Sequence, residues 1–381
     1  MTLLSICMPV RTRPDEALTC LRVLMRSQRQ DFEIVIAGDC DNAAMLAGFA
    51  DQHGDPRLRL LATGDRPLSP VEAANRLIEA ARGEWLCLIG ESDYVDPELC
   101  AVIAATIKRV PQADAIGWGS AGFTWPADRD GQEITHVPTR SELGILDQKQ
   151  MMRRLFFWED ASNLPDCPFG VVHGAVRRSL MERIRDGFSG QWLDQDDLRW
   201  DHACKTVLMA GAMVYWERPM SVRGAGGDRS TRSSVTGSEP AADPAGPHAA
   251  PFPFSPGLGA TARAALAIEA FKRRCGIELD GWEAGFVAAC ARDCETASRP
   301  QRFRARKEAY AAAIADWRGA PALAGFRPEF KFRTDTPRFQ GHVDGRLYFD
   351  MDMGAPASAA DFYDVIDAML FPVALLDAKL A

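Results

Sequence analysis

The first 110 residues alternate short apolar runs with longer amphipathic segments, and this rhythm constrains the fold more than any other feature. The strand-like runs are Leu3–Met8, Phe32–Ala37, Leu58–Ala62 and Trp85–Ile89. The segments that follow them have apolar residues at helical spacing: Glu16–Ser27, Asn42–His53, Pro70–Ala81 and Pro97–Arg109. Four strand–helix repeats predict an α/β fold, in which a mixed, mostly parallel sheet is flanked by helices.

The rest of the chain predicts two further parts. Residues 224–257 are rich in Gly, Pro and Ser and are typical of a flexible loop or linker. Residues 258–381 predict a smaller, mainly helical C-terminal accessory domain, with a β-hairpin around the Asp344-Gly345 turn. The expected division is therefore an α/β domain over residues 1–223, a linker over 224–257 and an accessory domain over 258–381.

Composition narrows the classes of function. The formal net charge of −8 and the pI of about 5.4 make nucleic acid a poor partner, because an acidic surface repels phosphates. No apolar run approaches the roughly 18–20 residues of a membrane-spanning helix, and the N-terminus has no basic region typical of a signal peptide. The ten cysteines contain no CxxC pair, which favours a reducing compartment. We expect a soluble, cytoplasmic protein.

Polar residues follow the predicted strands in four loops. These loops are Pro9–Arg13, Gly38–Asn42, Thr63–Pro70 and Gly90–Asp96. In an open sheet of this kind, the ligand binds at the carboxyl ends of the strands, where such loops meet. The sequence therefore places the functional site at that edge of the sheet.

Four segments, in order, carry a resemblance to a known family. They are Ser5–Arg13 (SICMPVRTR), Asp31–Asp39 (DFEIVIAGD), Ala73–Ile89 with its Gly83-Glu84 turn, and Tyr94–Leu99 (YVDPEL). The N-terminal part thereby resembles the family 2 glycosyltransferases of the GT-A (Rossmann-like) fold. The resemblance implies transfer of a hexose from a nucleotide-sugar, with UDP-sugars favoured, to a glycan, glycolipid or protein acceptor with inversion. A bacterial-type surface polysaccharide or glycolipid acceptor would allow contact with the inner membrane face.

The resemblance also implies a set of donor-binding residues. Asp39 matches the position that contacts the base, and the alternative is that it caps the following helix. Arg11 is suited to stack on a base or to pair with a phosphate. The remaining donor-binding candidates on the matched segments are Pro9, Arg13, Asn75 and Arg76, together with Glu91 and Asp93.

The acidic motif departs from the family pattern. Members usually carry Asp-x-Asp after the fourth strand, which holds Mg²⁺ or Mn²⁺ against the diphosphate. Gly90 and Ser92 stand at those positions here, and Glu91 and Asp93 lie one residue out of register. The resemblance implies a metal site formed by Glu91 and Asp93, and the alternative is a loop in which Asp93 caps the next helix.

A second match lies in the acceptor half. Gly174–Ile184, followed by Phe188, is similar to the family segment that precedes the catalytic acid residue. An inverting transfer needs a carboxylate that takes the proton from the acceptor hydroxyl. The candidates are Asp197, ranked first, with Asp196 and Asp201, and the alternative is an acidic helix N-terminus. Arg223, Arg229 and Arg232 lie in or beside the glycine-rich stretch, which is either a loop that closes over the diphosphate or a basic linker.

Other functions were weighed against this one. A nucleotide-sugar-binding protein of the same fold with little or no activity is favoured by the altered acidic motif. A nicotinamide-dependent enzyme would need a glycine-rich loop after the first strand, where Pro9–Arg13 stands instead. A nucleotidyltransferase would need a lysine-bearing glycine-rich loop there, and an interaction scaffold is supported only by the unmatched residues 258–381. The sequence fixes neither the sugar, the linkage nor the oligomeric state.

Overall fold

A computed structural model describes residues 2–62, 66–129, 132–225, 252–297, 299–331 and 339–376, apart from the side chains of Ala225 and Ala320. The predicted linker at 224–257 therefore lies mostly outside the described residues, and so do Arg229 and Arg232. No helix in the described ranges is long and apolar enough to cross a membrane.

The secondary structure alternates as the sequence predicts over the first 110 residues. The strands are β1 (Leu4–Val10), β2 (Phe32–Gly38), β3 (Leu58–Leu61), β4 (Trp85–Leu88), β5 (Tyr94–Val95), β6 (Ala115–Thr124), β7 (Ile134–Pro138), β8 (Leu143–Leu146), β9 (Gly174–Arg177), β10 (Met213–Ala225), β11 (Gly341–Val343) and β12 (Arg346–Asp350). The helices are α1 (Pro14–Arg26), α2 (Ala43–His53), α3 (Pro70–Ala80), α4 (Leu99–Arg109), α5 (Gln148–Phe156), α6 (Arg178–Gly187), α7 (Leu198–Met209), α8 (Ala260–Arg274), α9 (Glu283–Glu295), α10 (Pro300–Leu323, interrupted at Gly319) and α11 (Ala359–Met369).

The main sheet is mixed, and most of its strands point the same way. Its order is β3-β2-β1-β4-β9-β6-β10-β5, and β8 also pairs with β10. β1 to β4 form parallel pairs, whereas β9 runs antiparallel to both of its neighbours, β4 and β6. β6 and β10 pair in parallel, so β1, β2, β3, β4, β6 and β10 share one direction. The expected mixed, mostly parallel α/β sheet is confirmed.

Burial explains why these runs form central strands. Every residue of β1 and β2 is buried, as expected where helices cover both faces of a parallel sheet. At α3, the Ser69 hydroxyl accepts a hydrogen bond from the Glu72 backbone N–H, and the Glu72 carboxylate accepts one from the Ser69 N–H. This capping box, with Pro70 at the first helical position, confirms the predicted start of α3.

The predicted hairpin is present and belongs to a second, three-stranded sheet of order β11-β12-β7. Its two turn residues, Asp344 and Gly345, both have positive φ, 50° and 71°. Two consecutive residues in this region form the tight turn that matches the twist of a hairpin, and Asp and Gly tolerate it best.

The chain forms two compact units whose boundaries differ from the expected linear division. Unit 1 comprises Met1–Leu146, Pro168–Ser238 and Thr336–Ala381, and unit 2 comprises Asp147–Cys167 and Glu239–Asp335. The C-terminal segment belongs to unit 1 because β12 pairs with β7 and because Phe362 of α11 stacks on Phe123 of β6, with ring centroids 5.0 Å apart. In unit 2, α8, α9 and α10 surround an aromatic core that includes Phe254, Trp282, Phe286 and Trp317.

Candidate glycosyl-donor site

The loops that follow β1 and β2 meet at the carboxyl edge of the sheet. The Asp39 backbone N–H donates to the Val10 carbonyl oxygen at 3.0 Å, and the Asn42 side-chain amide donates to the Arg11 carbonyl oxygen at 2.6 Å. Pro9 lies within β1, buried and opposite Ala37 of β2, and therefore shapes the edge without offering it a polar group. The first two polar loops predicted from the sequence thus form one continuous surface.

Asp39 is not a helix cap. It precedes a short 3₁₀ turn, Cys40–Asn42, but its side chain makes no capping hydrogen bond. Its Oδ1 atom is buried and has no hydrogen-bond partner among the described residues. An enclosed carboxylate oxygen without a donor is unfavourable in an empty site, and it is suited to accept an N–H group from a ligand.

The arginines predicted for the donor site differ in their surroundings. The Arg11 side chain is partly buried, and its Nε atom has no partner among the described residues. Arg13 is held by Glu16 at 2.5 Å and Asp128 at 2.7 Å, and the hydrogen bond to Asp128 contributes most to raising its pKa. Arg76 lies on the exposed face of α3. Arg11 is therefore the best suited of the three to meet a nucleotide, and Arg13 is engaged in local ion pairs.

Asn75 has a positioning role in this conformation. Its side-chain amide donates to the Leu193 carbonyl oxygen at 2.7 Å and accepts from the Leu193 N–H at 3.1 Å. Both polar atoms of the amide therefore hold the segment that leads to Asp194–Asp197. This pair links α3 to the acceptor half of unit 1.

Glu91 anchors the first loop. Its Oε2 atom accepts from the Arg11 N–H at 2.5 Å and from the Thr12 N–H at 3.0 Å, and its Oε1 atom accepts from the Thr12 hydroxyl at 2.8 Å. The residue is only 2% exposed. Its oxygens are occupied by N–H and O–H donors. This carboxylate therefore ties the Pro9–Arg13 loop to the acidic loop, Gly90–Asp96.

Asp93 belongs to a buried polar chain. Its Oδ2 atom accepts from the Gly90 N–H at 2.7 Å and from His173 Nε2 at 2.9 Å. Its Oδ1 atom accepts from the Gly224 N–H at 2.8 Å. His173 Nδ1 is 2.9 Å from the Ser221 hydroxyl, which also accepts from Trp118 Nε1–H at 2.9 Å.

The pKa shifts of Asp93 and His173 indicate which of the two is charged. Burial would raise the pKa of Asp93, but the nearby His173 and the hydrogen bonds to Asp93 lower it below its ordinary value. Burial lowers the pKa of His173, and Asp93 only partly opposes that effect. At neutral pH Asp93 is thus ionised and His173 is neutral. We infer that Nε2 of His173 carries the proton that it shares with Asp93, and that Nδ1 accepts from Ser221.

The residues of the acidic loop do not fit the expected metal site. Glu91 and Asp93 are each about 2% exposed, and backbone N–H groups or neighbouring side chains already occupy their oxygens. Gly90 and Ser92, at the positions of the family aspartates, provide no carboxylate. Within the described part of the chain, no group of three or more His, Cys, Asp or Glu side chains is arranged to hold a metal ion. The expectation of Mg²⁺ or Mn²⁺ at Glu91 and Asp93 therefore finds no support in the geometry.

The predicted catalytic acids gather at the start of α7, in different environments. Asp201 is fully buried and contacts Lys205 Nζ at 2.9 Å and the Asp194 N–H at 3.0 Å. A carboxylate enclosed in this way cannot reach an acceptor hydroxyl, which removes Asp201 as a candidate base. Asp197 is half-buried and caps α7 by accepting from the Trp200 N–H at 3.1 Å, and Asp196 is half-buried beside it.

Two arginines lie near the acidic loop, of which the sequence pointed to Arg223, in or beside the glycine-rich stretch, and not to Arg199. Arg223 lies within β10. The glycine-rich composition around it had indicated a loop or a linker in or beside which it would lie. Arg199, one residue inside α7, stacks on Trp200 with its guanidinium 4.5 Å from the ring centroid. Burial, reinforced by the positive charge of Arg199, lowers the pKa of Arg223 to about 9 against the opposing effect of Asp93. The start of α7 and the end of β10 therefore lie close enough to interact electrostatically.

Comparison with known protein families gives a match for the N-terminal part of the chain. Residues 5–182 match the model of the family described as glycosyl transferase family 2. The resemblance drawn from the sequence is thus confirmed over this segment, which is similar to the family 2 glycosyltransferases.

Two individual proteins are similar to parts of the chain at low sequence identity. The chain is 27% identical over 190 residues to the succinoglycan biosynthesis protein ExoO of Rhizobium meliloti, a match that covers 48% of this chain and 47% of the relative. A match to the uncharacterized protein y4gI of Sinorhizobium fredii is 31% identical over 123 residues and covers 30% of this chain and 13% of that protein. The matches thus span about half, or less, of these curated relatives.

Similar solved structures include S. aureus TarS in complex with UDP-GlcNAc, with a TM-score of 0.48, 12% identity and coverage of 85% of this chain and 84% of that one. Another is the mannosyltransferase PcManGT from Pyrobaculum calidifontis with GDP-Man and Mn²⁺, with a TM-score of 0.36, 13% identity and coverage of 85% and 73%.

Proposed function

We propose that this protein transfers a hexose, with inversion, from a nucleoside diphosphate sugar to a glycan or glycolipid acceptor, and that the donor is a UDP-sugar. The observation that carries the proposal is Asp39. Its buried Oδ1 atom, without a partner among the described residues, lies at the carboxyl edge where the family 2 assignment implies a nucleotide. A base N–H would satisfy this oxygen, and Arg11 beside it offers a planar cation for stacking or for a phosphate.

The transfer step requires one base. The acceptor hydroxyl oxygen attacks the anomeric carbon and forms the new glycosidic bond, while the bond from that carbon to the β-phosphate oxygen breaks. The acceptor proton passes to a carboxylate, which we assign to Asp197, with Asp196 as the alternative at the same helix start. The nucleoside diphosphate leaves with the bonding electron pair. Asp197 suits this role because its helix position fixes its orientation while it remains partly exposed.

The acceptor class is supported by one relative. ExoO is named for succinoglycan biosynthesis, which agrees with a polysaccharide or lipid-linked glycan acceptor for this chain. A cytoplasmic location, with contact at the inner membrane face where such acceptors are attached, belongs to the same proposal. The net charge of −8 argues against nucleic acid as acceptor.

The first test is calorimetric titration of UDP, GDP and dTDP into the full chain, once with Mn²⁺ and once with EDTA. We expect UDP to bind with micromolar affinity. Asp39→Asn should weaken UDP binding about tenfold, because a neutral amide oxygen accepts the base N–H more weakly than a carboxylate does. The matched control is Asp41→Asn, an exposed carboxylate on the same loop, which should bind UDP like the wild type.

The alternative is a nucleotide-sugar-binding protein without transfer activity, which the altered acidic motif favours. Incubation with a UDP-sugar that the titration shows to bind separates the two, because a transferase releases UDP, by transfer or by slow hydrolysis, and a binding protein does not. UDP release that is lost in Asp197→Asn supports the transferase. Tight binding without release by the wild type, in the presence of an isolated bacterial glycolipid fraction, favours the binding protein.

A further inference from the structure

The two carboxylates of the acidic loop already accept hydrogen bonds from other groups of the protein. Arg11 and Thr12 occupy the carboxylate of Glu91, and Gly90, His173 and Gly224 occupy that of Asp93. Three of the roughly four acceptor positions of Asp93 are therefore used, and the rest of the group is enclosed. A donor diphosphate at this edge still needs a positive charge, which must come from elsewhere in the site.

The end of β10 lies directly on this loop. The Gly224 N–H donates to Asp93, and Ser221 of the same strand contacts His173. A Cβ at position 224 would collide with the Ser92 carbonyl oxygen and lie 2.7 Å from Trp125 Nε1. Only glycine permits this close approach, so Gly224 fixes its neighbour Arg223 beside the loop that would hold a metal in the family pattern.

Arg223 carries a side-chain donor that has no hydrogen-bond partner among the described residues. Its side chain is half-buried, and its Nε atom is enclosed and makes no hydrogen bond to the described residues. The carboxylate of Asp93 already accepts three hydrogen bonds, one from His173 and two from backbone N–H groups. Arg199 adds a second positive charge, which acts on both Arg223 and His173. Two guanidinium groups held near one another are stabilised when an anion joins them.

We propose that Arg223, assisted by Arg199, binds the diphosphate of the donor, so that donor binding by this chain needs no divalent metal ion. The proposal rests on the function proposed above. It states which residues of that site neutralise the negative charge of the leaving nucleoside diphosphate. A guanidinium presents parallel N–H donors that match two phosphate oxygens, and Arg keeps its charge at all physiological pH values. As the bond from the anomeric carbon to the β-phosphate oxygen breaks, the added negative charge on that phosphate is stabilised by these donors.

The test compares a nucleoside diphosphate with its monophosphate. UDP and UMP are titrated into wild type, Arg223→Met, Arg223→Lys and Arg199→Met, first in EDTA and then in Mn²⁺. In wild type we expect the UDP affinity in EDTA to be within about threefold of that in Mn²⁺. Arg223→Met should weaken UDP binding about tenfold or more and UMP binding about twofold or less, because the monophosphate lacks the β-phosphate.

Control variants guard against misfolding. Arg82→Met removes an exposed arginine at the turn before β4, the opposite edge of the sheet, and should leave both affinities unchanged. Arg223→Lys keeps the charge but not the planar pair of donors, and an intermediate loss of UDP affinity is expected. If Arg223→Met does not fold, as judged by circular dichroism, Arg223→Lys and Arg199→Met carry the test.

The outcomes separate this inference from the proposed function. The inference is wrong if Mn²⁺ raises the UDP affinity tenfold or more. It is also wrong if the variants of Arg223 and Arg199 all bind UDP like the wild type. Neither result contradicts the proposed transferase function. If folded wild type binds none of UDP, GDP and dTDP in either condition, the proposed function fails and the inference fails with it. Metal-independent UDP binding that depends on Arg223 supports both.

Discussion

At the scale of single residues, the candidate site contains buried polar groups with hydrogen-bond partners and others without them among the described residues. Asp93 and Asp201 are both buried, and each has its partners within the protein. Asp39, Arg11 and Arg223 each keep a buried polar atom without a partner among the described residues, at one edge of the sheet. Buried polar atoms are nearly always paired in folded proteins, and a ligand bound at the predicted site would supply the partners that these three atoms lack.

Asp197→Asn tests the base directly. Asparagine still caps α7, so we expect the midpoint of thermal unfolding and the affinity for UDP to change little. The rate of sugar transfer should fall by about 10²–10⁴, because an amide cannot take the acceptor proton. Turnover is measured as UDP release in the presence of acceptor, with the exposed Asp186→Asn as control. Wild-type turnover in Asp197→Asn would transfer the role to Asp196.

Asp96 gives a prediction about pH. It lies between β5 and α4, and burial raises its pKa from its ordinary value of 3.8 to about 6. The carboxylate therefore destabilises the fold as it ionises, so its contribution to stability is lost as pH rises from about 4 to 6. Asp96→Asn retains an oxygen that can accept from the Glu98 N–H. We expect the variant to be more stable by about 1–2 kcal/mol above pH 6 and by almost nothing at pH 4, measured by urea unfolding. A gain of equal size at both pH values would contradict this account.

At the scale of elements, the acidic loop is a clamp between strands. Glu91 ties the loop after β4 to the loop after β1, and Asp93 ties it to β10 through Gly224 and to His173 ahead of β9. These contacts join segments up to 131 positions apart in the chain. The shape of the candidate site thus depends on two carboxylates that lie one residue out of register with the metal-binding positions of the family pattern.

Glu91→Ala tests whether the clamp is structural. The variant leaves the backbone N–H groups of Arg11 and Thr12 without their acceptor, and we expect the free energy of unfolding to fall by about 2 kcal/mol. Mn²⁺ should leave the thermal midpoint of wild type and of variant unchanged. The control is Glu79→Ala, an exposed glutamate on α3. Stabilisation of wild type by Mn²⁺ that disappears in Glu91→Ala would show that Glu91 binds the metal after all.

The sequence predicts elements well where periodicity is strong. Mostly apolar runs predicted β1, β2 and β4, and Ser69-Pro70 predicted the start of α3, since these patterns are local. The short strands β5 and β9 were not predicted, because two to four residues carry no readable period and each depends on pairing with a distant strand. Arg223 was expected in or beside the glycine-rich stretch, because composition shows its glycine neighbours and cannot show that β10 pairs with β6 as far as Ala225.

At the scale of the whole molecule, chain order and spatial order differ. The candidate site residues fall within unit 1, which the sequence anticipated, because its strand–helix repeats are consecutive. The return of residues 336–381 to unit 1 was not anticipated, because nothing local in α11 reveals which sheet its apolar face covers. Phe362 is fully buried between Phe123 and Phe349, so the C-terminal helix completes the core beneath the α/β sheet.

Phe362→Ala tests this arrangement. Removing a fully buried aromatic side chain leaves a cavity, and we expect the free energy of unfolding to fall by about 3–5 kcal/mol. Leu375→Ala, at a side chain that is 52% exposed, should cost about 0.5 kcal/mol or less. Hydrogen exchange supplies the second readout: the amides of β6 should lose protection in Phe362→Ala, because Phe123 on that strand loses its stacking partner. If α11 belonged to a separate accessory domain, the β6 amides would keep their protection from exchange in Phe362→Ala, and only the C-terminal region would exchange faster.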